Sequence, residues 1–121
     1  MLKREDIIRK CNQVDVDCIV GHGSALVMHG FKDETRDVDA GINRSTFEGL
    51  SGEVTIKGDY EMIVDYNNVK GVDMHPLDEE HEWTRIDGVR VSTLEQVIKD
   101  KLALGREKDF KQIEMIKKAT R

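Results

Sequence analysis

The sequence predicts an α/β (α+β) chain: a mixed β-sheet with flanking helices, closed by two C-terminal helices. Three observations predict it. Short strand-like apolar runs recur before Ser92, glycine-containing turns separate them, and from Ser92 onward the apolar residues return at helical spacing. At 121 residues the chain suits one hydrophobic core, so 1–121 is read as a single domain.

Each element follows in order. Ile7, Ile8 and Cys11 sit at helical spacing within Lys3 to Asn12, and the run from Val14 to Val20 then reads as a partly buried strand. Gly21-His22-Gly23-Ser24 is a tight turn, Ala25 to His29 a short helix, and Gly30 its stop. Asp37 to Ile42 reads as a second strand, after which Ser45 caps a short helix ending near Leu50. Three strand-like runs follow, Glu53–Lys57, Tyr60–Tyr66 and Val69–His75, and Pro76 is expected to end the last. Leu77 to Glu82 reads as acidic loop, and Asp87-Gly88 as a turn into a short strand. Ser92 and Glu95 have capping-box spacing ahead of Leu94, Val97, Ile98 and Leu102, and Gly105 stops that helix. Phe110, Ile113 and Ile116 mark the stripe of the last one.

Composition narrows the functional classes. No apolar run approaches the ~20 residues needed to span a bilayer, and no apolar stretch follows Lys3-Arg4 as a secretory signal requires. The expectation is a cytoplasmic protein without a membrane partner. Cys11 and Cys18 form no C-x-x-C pattern, and His22, His29, His75 and His81 match no common zinc spacing. The net charge of −5 is unevenly spread: Lys99 to Arg121 holds eight basic and four acidic residues, so a basic end opposes an acidic body. Such an end reads first as solvated helix faces and alternatively as an attraction for a phosphate-bearing ligand or RNA. No G-K-[ST], no complete G-x-G-x-x-G and no nucleophile elbow is present.

The chemistry centres on Asp37 and Asp39. Side chains two apart on a strand leave the same face, and two carboxylates brought together repel unless a cation or proton relieves them. Hard oxygen ligands of this kind suit Mg²⁺ or Mn²⁺. Upstream, Gly23-Ser24 opens a helix directly after a strand, where free backbone N–H groups favour phosphate. Lys101 shares the apolar face of Val97 and Ile98, and Asp109 falls on the stripe of Ile113 and Ile116. Both point inward, either as a salt bridge between the last two helices or toward a bound nucleotide or metal.

Gly-Ser, twelve residues, then Asp-x-Asp resembles the signature of the nucleotidyltransferase superfamily that includes the DNA polymerase beta-like enzymes. More narrowly, Gly21-His22-Gly23-Ser24-Ala25-Leu26, His29-Gly30 and Thr35-Arg36-Asp37-Val38-Asp39 resemble the toxin-type branch related to AbiE and the minimal nucleotidyltransferases. Lys101-Leu102 and Arg106-Glu107-Lys108-Asp109 are similar to a late segment of the same proteins. The resemblance implies a nucleotidyltransferase-like fold and transfer of a nucleoside monophosphate from a nucleoside triphosphate to an acceptor hydroxyl on RNA, tRNA or protein. It implies Mg²⁺ (or Mn²⁺) at Asp37, Asp39 and Asp73, phosphate contacts from Gly23, Ser24 and Lys101, and Asp109 in the active centre. Asp73 is chosen as third carboxylate because apolar residues flank it and Val72-Asp73-Met74-His75 resembles the family's final sheet strand; Asp65 competes for the role. Two positions depart from the pattern: Asp33 stands where an arginine is common, and Gly41 follows Asp39 where branched apolar residues usually continue, which predicts a looser strand. The competing expectation is a nucleotidyltransferase-fold protein without turnover, serving as a binding or regulatory partner of another protein.

Overall fold

A computed structural model describes residues 1–14, 16–49, 54–57, 60–64 and 69–120. In chain order the elements are α1 (Arg4–Gln13), β1 (Ile19–Val20), α2 (His22–Met28), β2 (Val38–Asn43), α3 (Arg44–Glu48), β3 (Val54–Lys57), β4 (Tyr60–Val64), β5 (Val72–Leu77), β6 (Trp83–Ile86), β7 (Val89–Ser92), α4 (Leu94–Leu104) and α5 (Glu107–Ala119). Among the described residues the strands form one mixed seven-stranded sheet in the order β3-β4-β5-β2-β1-β7-β6. β2 runs parallel to β5 and β1 parallel to β7, while the remaining neighbours are antiparallel.

Alternation along the central strands sets two faces. Val38, Ala40 and Ile42 of β2 and Val72 and Met74 of β5 are almost wholly buried and join Ile7, Leu26, Phe47, Val97 and Ile116 in one cluster with all five helices. By the same alternation Asp39, Gly41 and Asn43 of β2 turn to the opposite side, as do Asp73, His75 and Leu77 of β5. No helix among the described residues is long and apolar enough to cross a membrane.

Several boundaries differ from the expected ones. The Val14–Val20 run contributes only Ile19–Val20 to the sheet, because Val14 is the C-terminal cap of α1. Asp37 lies just outside β2, which starts at Val38. Pro76 does not end its strand: β4 pairs with β5 only through Asp73 and Met74, so at Pro76 the described sheet continues on the β2 side alone, where a missing N–H is tolerated. The expected acidic loop therefore begins after Leu77. β6 is an additional strand whose exposed side chains gave no alternation; Asp87 (φ +50°) and Gly88 (φ +79°) form the positive-φ turn that pairs Ile86 with Val89.

Caps shift by a residue or two. α3 is capped by Asn43, whose side-chain oxygen accepts from the Ser45 N–H, and α4 by Thr93, whose hydroxyl accepts from the Gln96 N–H, in place of Ser45 and Ser92. Gly105 ends α4 in the left-handed conformation (φ +65°), as its position predicts. Gly41 is the site of a close approach: a Cβ there would clash with the Leu77 side chain, which fills the space over the glycine.

Candidate active site

The glycine turn and the carboxylate strand are joined by direct hydrogen bonds. The Gly21 N–H donates to the Asp39 carbonyl (2.9 Å), and the Asp39 N–H donates to the Ser24 hydroxyl (2.9 Å). That hydroxyl in turn donates to the Asp37 carbonyl (3.0 Å), and Ser24 is fully buried. Ser24 therefore holds the backbone on both sides of Val38 against the start of α2, and its hydroxyl is already engaged. His22, the first residue of α2, has φ +49°, a conformation that non-glycine residues seldom adopt and that clusters at functional sites.

Register brings the carboxylates together across strands. Asp39 of β2 is the Cα partner of Asp73 of β5, and the next same-face pair is Gly41 with His75. Adjacent in-register residues on one face lie within side-chain contact range. Asp39 lies on the wall of a cleft of about 420 Å³, while Asp73 is 6% exposed. Asp65 lies outside the described residues. Asp37 is half-buried and is not among the residues lining the cleft. Among the described residues no group of three or more carboxylate, imidazole or thiol side chains is placed to hold a metal ion; Asp39 and Asp73 form an in-register pair, and Asp37 lies just before β2.

The rest of the cleft lining is strongly cationic. Lys32, Lys101, Arg106 and Lys108 line the cleft, with Asp39 as its one lining carboxylate among the described residues. Gly23 also lines it, and a Cβ there would stand 3.5 Å from the Lys32 ammonium and 3.7 Å from the Thr35 hydroxyl. The glycine thus leaves the cleft floor open beneath a cation.

Lys101 and Asp109 are brought together as their helical spacing predicts. The Lys101 ammonium is 3.6 Å from the Asp109 carboxylate and donates to the Gln112 side-chain oxygen. Asp109 is fully buried and accepts from the Arg106 backbone N–H (3.1 Å) and from its guanidinium (2.7 and 3.2 Å), the capping box of α5. Burial alone raises the Asp109 carboxyl, but the Arg106 hydrogen bonds and the charges of Arg106 and Lys101 outweigh it and hold it below its ordinary value. Burial lowers the Lys101 ammonium, with Asp109 opposing the shift. Asp109 therefore orients the two cations and leaves the cleft wall to them.

Sequence reasoning missed Lys32, Arg106, Lys108 and His75. Arg106 and Lys108 stand inside the quoted Arg-x-x-Asp segment, where the signal was available. Lys32 is adjacent to the departing Asp33: the loop turns Lys32 into the cleft and leaves Asp33 exposed. His75 shares its face with Asp73 and stacks obliquely on His22, ring centroids 5.3 Å apart. Burial, then the charges of His22 and His81, lower its imidazole to about 4, so it is neutral near pH 7.

No family model matches the sequence, and no curated protein does. Solved structures do match. The nucleotidyltransferase ANT(2″)-Ia, seen in complex with adenylyl-2″-tobramycin, has a TM-score of 0.58 at 17% identity, over 97% of this chain and 87% of that one. A solution structure of the same antibiotic-resistance factor gives 0.57 at 16% identity, over 95% and 80%. A Thermotoga maritima protein, provisionally assigned as a nucleotidyltransferase, gives 0.52 at 15% identity, over 92% and 88%. The chain has the nucleotidyltransferase fold: a mixed sheet with flanking helices, in which the glycine turn, the Asp39 strand and the Asp73 strand are neighbours.

Proposed function

We propose that the protein is a single-domain, cytoplasmic nucleotidyltransferase that moves a nucleoside monophosphate from a nucleoside triphosphate to an acceptor hydroxyl. The observation that carries this reading is the in-register pair Asp39 and Asp73, of which Asp39 lines a cleft together with four cationic side chains. A carboxylate pair beside such cations suits a triphosphate chelated to a divalent ion. Mg²⁺ or Mn²⁺ needs only one or two protein carboxylates when phosphate oxygens and water complete its shell, so the pair fits such an ion without a third donor. When bound, the ion neutralises phosphate charge and acidifies the acceptor hydroxyl.

The chain's own residues do the rest. Lys32, Lys101, Arg106 and Lys108 receive the phosphates, Gly23 lets them approach the backbone, and Ser24 fixes the Asp37–Asp39 segment. Asp109 holds Lys101 and Arg106 in place. The acceptor oxygen bonds to the α-phosphorus as the bond from that phosphorus to the β-phosphate oxygen breaks; pyrophosphate leaves with the electron pair, and Asp73 takes the hydroxyl proton. Within the fold, the glycine turn, Ala-Leu helix and Thr-x-Asp-x-Asp run favour the toxin-type branch.

Calorimetric titration with ATP, CTP, GTP and UTP in Mg²⁺ tests binding, and transfer of α-phosphate label to RNA, protein and small-molecule fractions tests turnover. Metal-dependent binding together with transfer is expected. Binding without transfer to any fraction would favour the second reading, a fold relative that binds nucleotide and regulates a partner. The observation on that side is that Asp37 is not among the residues lining the cleft.

A further inference from the structure

Cys11 and Cys18 are the chain's two cysteines, and although their spacing fits no sequence motif the fold brings them together. Cys11 lies in the last turn of α1, and Cys18 is the residue before β1. The two thiols hydrogen-bond to each other, and both line a cavity of about 240 Å³. Cys18 is 9% exposed and belongs to the core cluster, while Cys11 is half-buried and packs against it. Packing asks only for two small side chains there. It does not ask for sulfur beside sulfur on the wall of a cavity.

The surroundings make the two sulfurs unequal. The hydrogen bond from Cys11 lowers the Cys18 thiol and Arg90 adds to this, against burial and the Asp17 carboxylate. The same hydrogen bond raises the Cys11 thiol, with burial and the charge of Cys18 acting in the same direction. Arg90 lines the cavity and is held from two sides: its guanidinium is 3.6 Å from the Asp17 carboxylate and lies over the Trp83 ring, 4.7 Å from the centroid. Reactive cysteines share this arrangement, a sulfur near a cation with a second thiol in contact; inert buried ones sit in apolar surroundings.

We propose that Cys11 and Cys18 form a reversible oxidation site for hydroperoxides, with Cys18 as the attacking sulfur and Cys11 as the resolving one. The site is independent of the nucleotidyltransferase reading and, among the described residues, shares no lining with the cleft. The Cys18 thiolate attacks one peroxide oxygen; a sulfur–oxygen bond forms, the oxygen–oxygen bond breaks, and the leaving hydroxide takes the Cys18 proton as water. The Cys11 sulfur then attacks Cys18, the disulfide forms, and the second hydroxide leaves with the Cys11 proton. Two thiols are oxidised and one peroxide is reduced to two waters. A cavity of about 240 Å³ holds several molecules the size of water, ~30 Å³ each, so a hydroperoxide fits it and a peptide disulfide does not. A disulfide needs its sulfurs about 2 Å apart, which side-chain rotation reaches from hydrogen-bond contact. Once closed, it ties the end of α1 to β1, directly ahead of the Gly21 N–H that holds the Asp39 carbonyl.

Hydrogen peroxide added to the full chain, followed by intact-mass measurement and thiol titration, tests the site. The expected product is a monomer lighter by two hydrogens, with both thiols lost together and both restored by dithiothreitol. In Cys11→Ser, dimedone should trap Cys18 as a sulfenic acid, because the resolving thiol is gone. In Cys18→Ser the remaining thiol should react about tenfold more slowly than the wild type, or slower still. The wild-type measurement stands whether or not either variant folds. Thiols that survive peroxide in the native chain but oxidise in urea would reduce the pair to packing residues and overturn the proposal. Disulfide-linked dimers as the main product, no dimedone adduct in a folded Cys11→Ser variant, or wild-type reactivity in a folded Cys18→Ser variant would each overturn it as well.

Discussion

The two walls of the cleft are positioned by different physics. The sheet wall is set by main-chain register: Asp39 stands opposite Asp73 because parallel strands pair them, and Gly21 and Ser24 pin the Asp39 backbone from both of its polar groups. The helix wall is set by side-chain charge: Lys101 and Arg106 are aimed by a fully buried Asp109 that both contact. A wall built from backbone tolerates loss of its charged side chains, whereas a wall built from a buried ion cluster does not. Substitutions on the sheet wall should therefore change function more than folding, and those at Asp109 should do the reverse.

The largest effect follows from breaking the buried cluster. Asp109→Ala leaves Lys101 desolvated without its counter-charge and removes the α5 capping box, at an expected cost of about 3–5 kcal/mol in urea unfolding. A loss below about 1 kcal/mol, the level of exposed ion pairs, would mean that the helix wall does not depend on this carboxylate. On the other wall, Asp39→Asn should lower transfer by about 10²–10³-fold while moving the urea midpoint little. Comparable losses of stability in the two variants would erase the distinction between the walls.

Acid sharpens the comparison, because the two walls titrate in different windows. The His75 imidazole on the sheet face titrates near 4 when folded, from an ordinary value of 6.5, through burial and then the charges of His22 and His81. Between those values the unfolded chain holds the extra proton, so stability is full above about 6.5 and falls as pH drops toward 4, by about 3 kcal/mol. Asp109, held below its ordinary value, keeps its contribution through that window and loses it only at lower pH. Urea midpoints at pH 7, 5 and 4 in metal-free buffer should therefore fall in the wild type and fall less in His75→Gln. Equal slopes would remove His75 from the account.

Much of this arrangement is legible in the sequence because its periods are local. The spacing of Lys101 from Val97 and of Asp109 from Ile113 already puts both on inward faces, and the salt bridge between them follows. Alternation along Val72-Asp73-Met74 likewise separates a carboxylate from the core. What spacing cannot supply is which residues meet across elements. Lys32 reaches the cleft through a loop path, and His75 meets His22 only because β5 and the glycine turn flank the same space. β6 is invisible for another reason: Trp83 is 42% exposed, so the strand is fixed by its turn and its pairing with β7 and not by burial. Pro76 misleads because proline's exclusion from sheets holds only where a strand has neighbours on both sides.

The smallest expected effect tests whether the sheet wall really is set through its backbone. Ser24→Ala removes a buried hydroxyl that links the Asp37 carbonyl to the Asp39 N–H, leaving two buried polar groups to lose their partner. The expected cost is about 1–3 kcal/mol in urea, less than at Asp109. Because the Gly21 N–H still holds the Asp39 carbonyl, the strand should stay in place. On the proposed reading transfer should nevertheless fall more than stability suggests, since even a small shift of the Asp39 carboxylate within the held strand would disturb metal and phosphate together. Restoring the hydroxyl with Ser24→Thr should recover both to the extent that the extra methyl fits. If Ser24→Ala left transfer at the wild-type rate, strand register with β5 would be sufficient to place Asp39, and the bond from α2 would be packing alone.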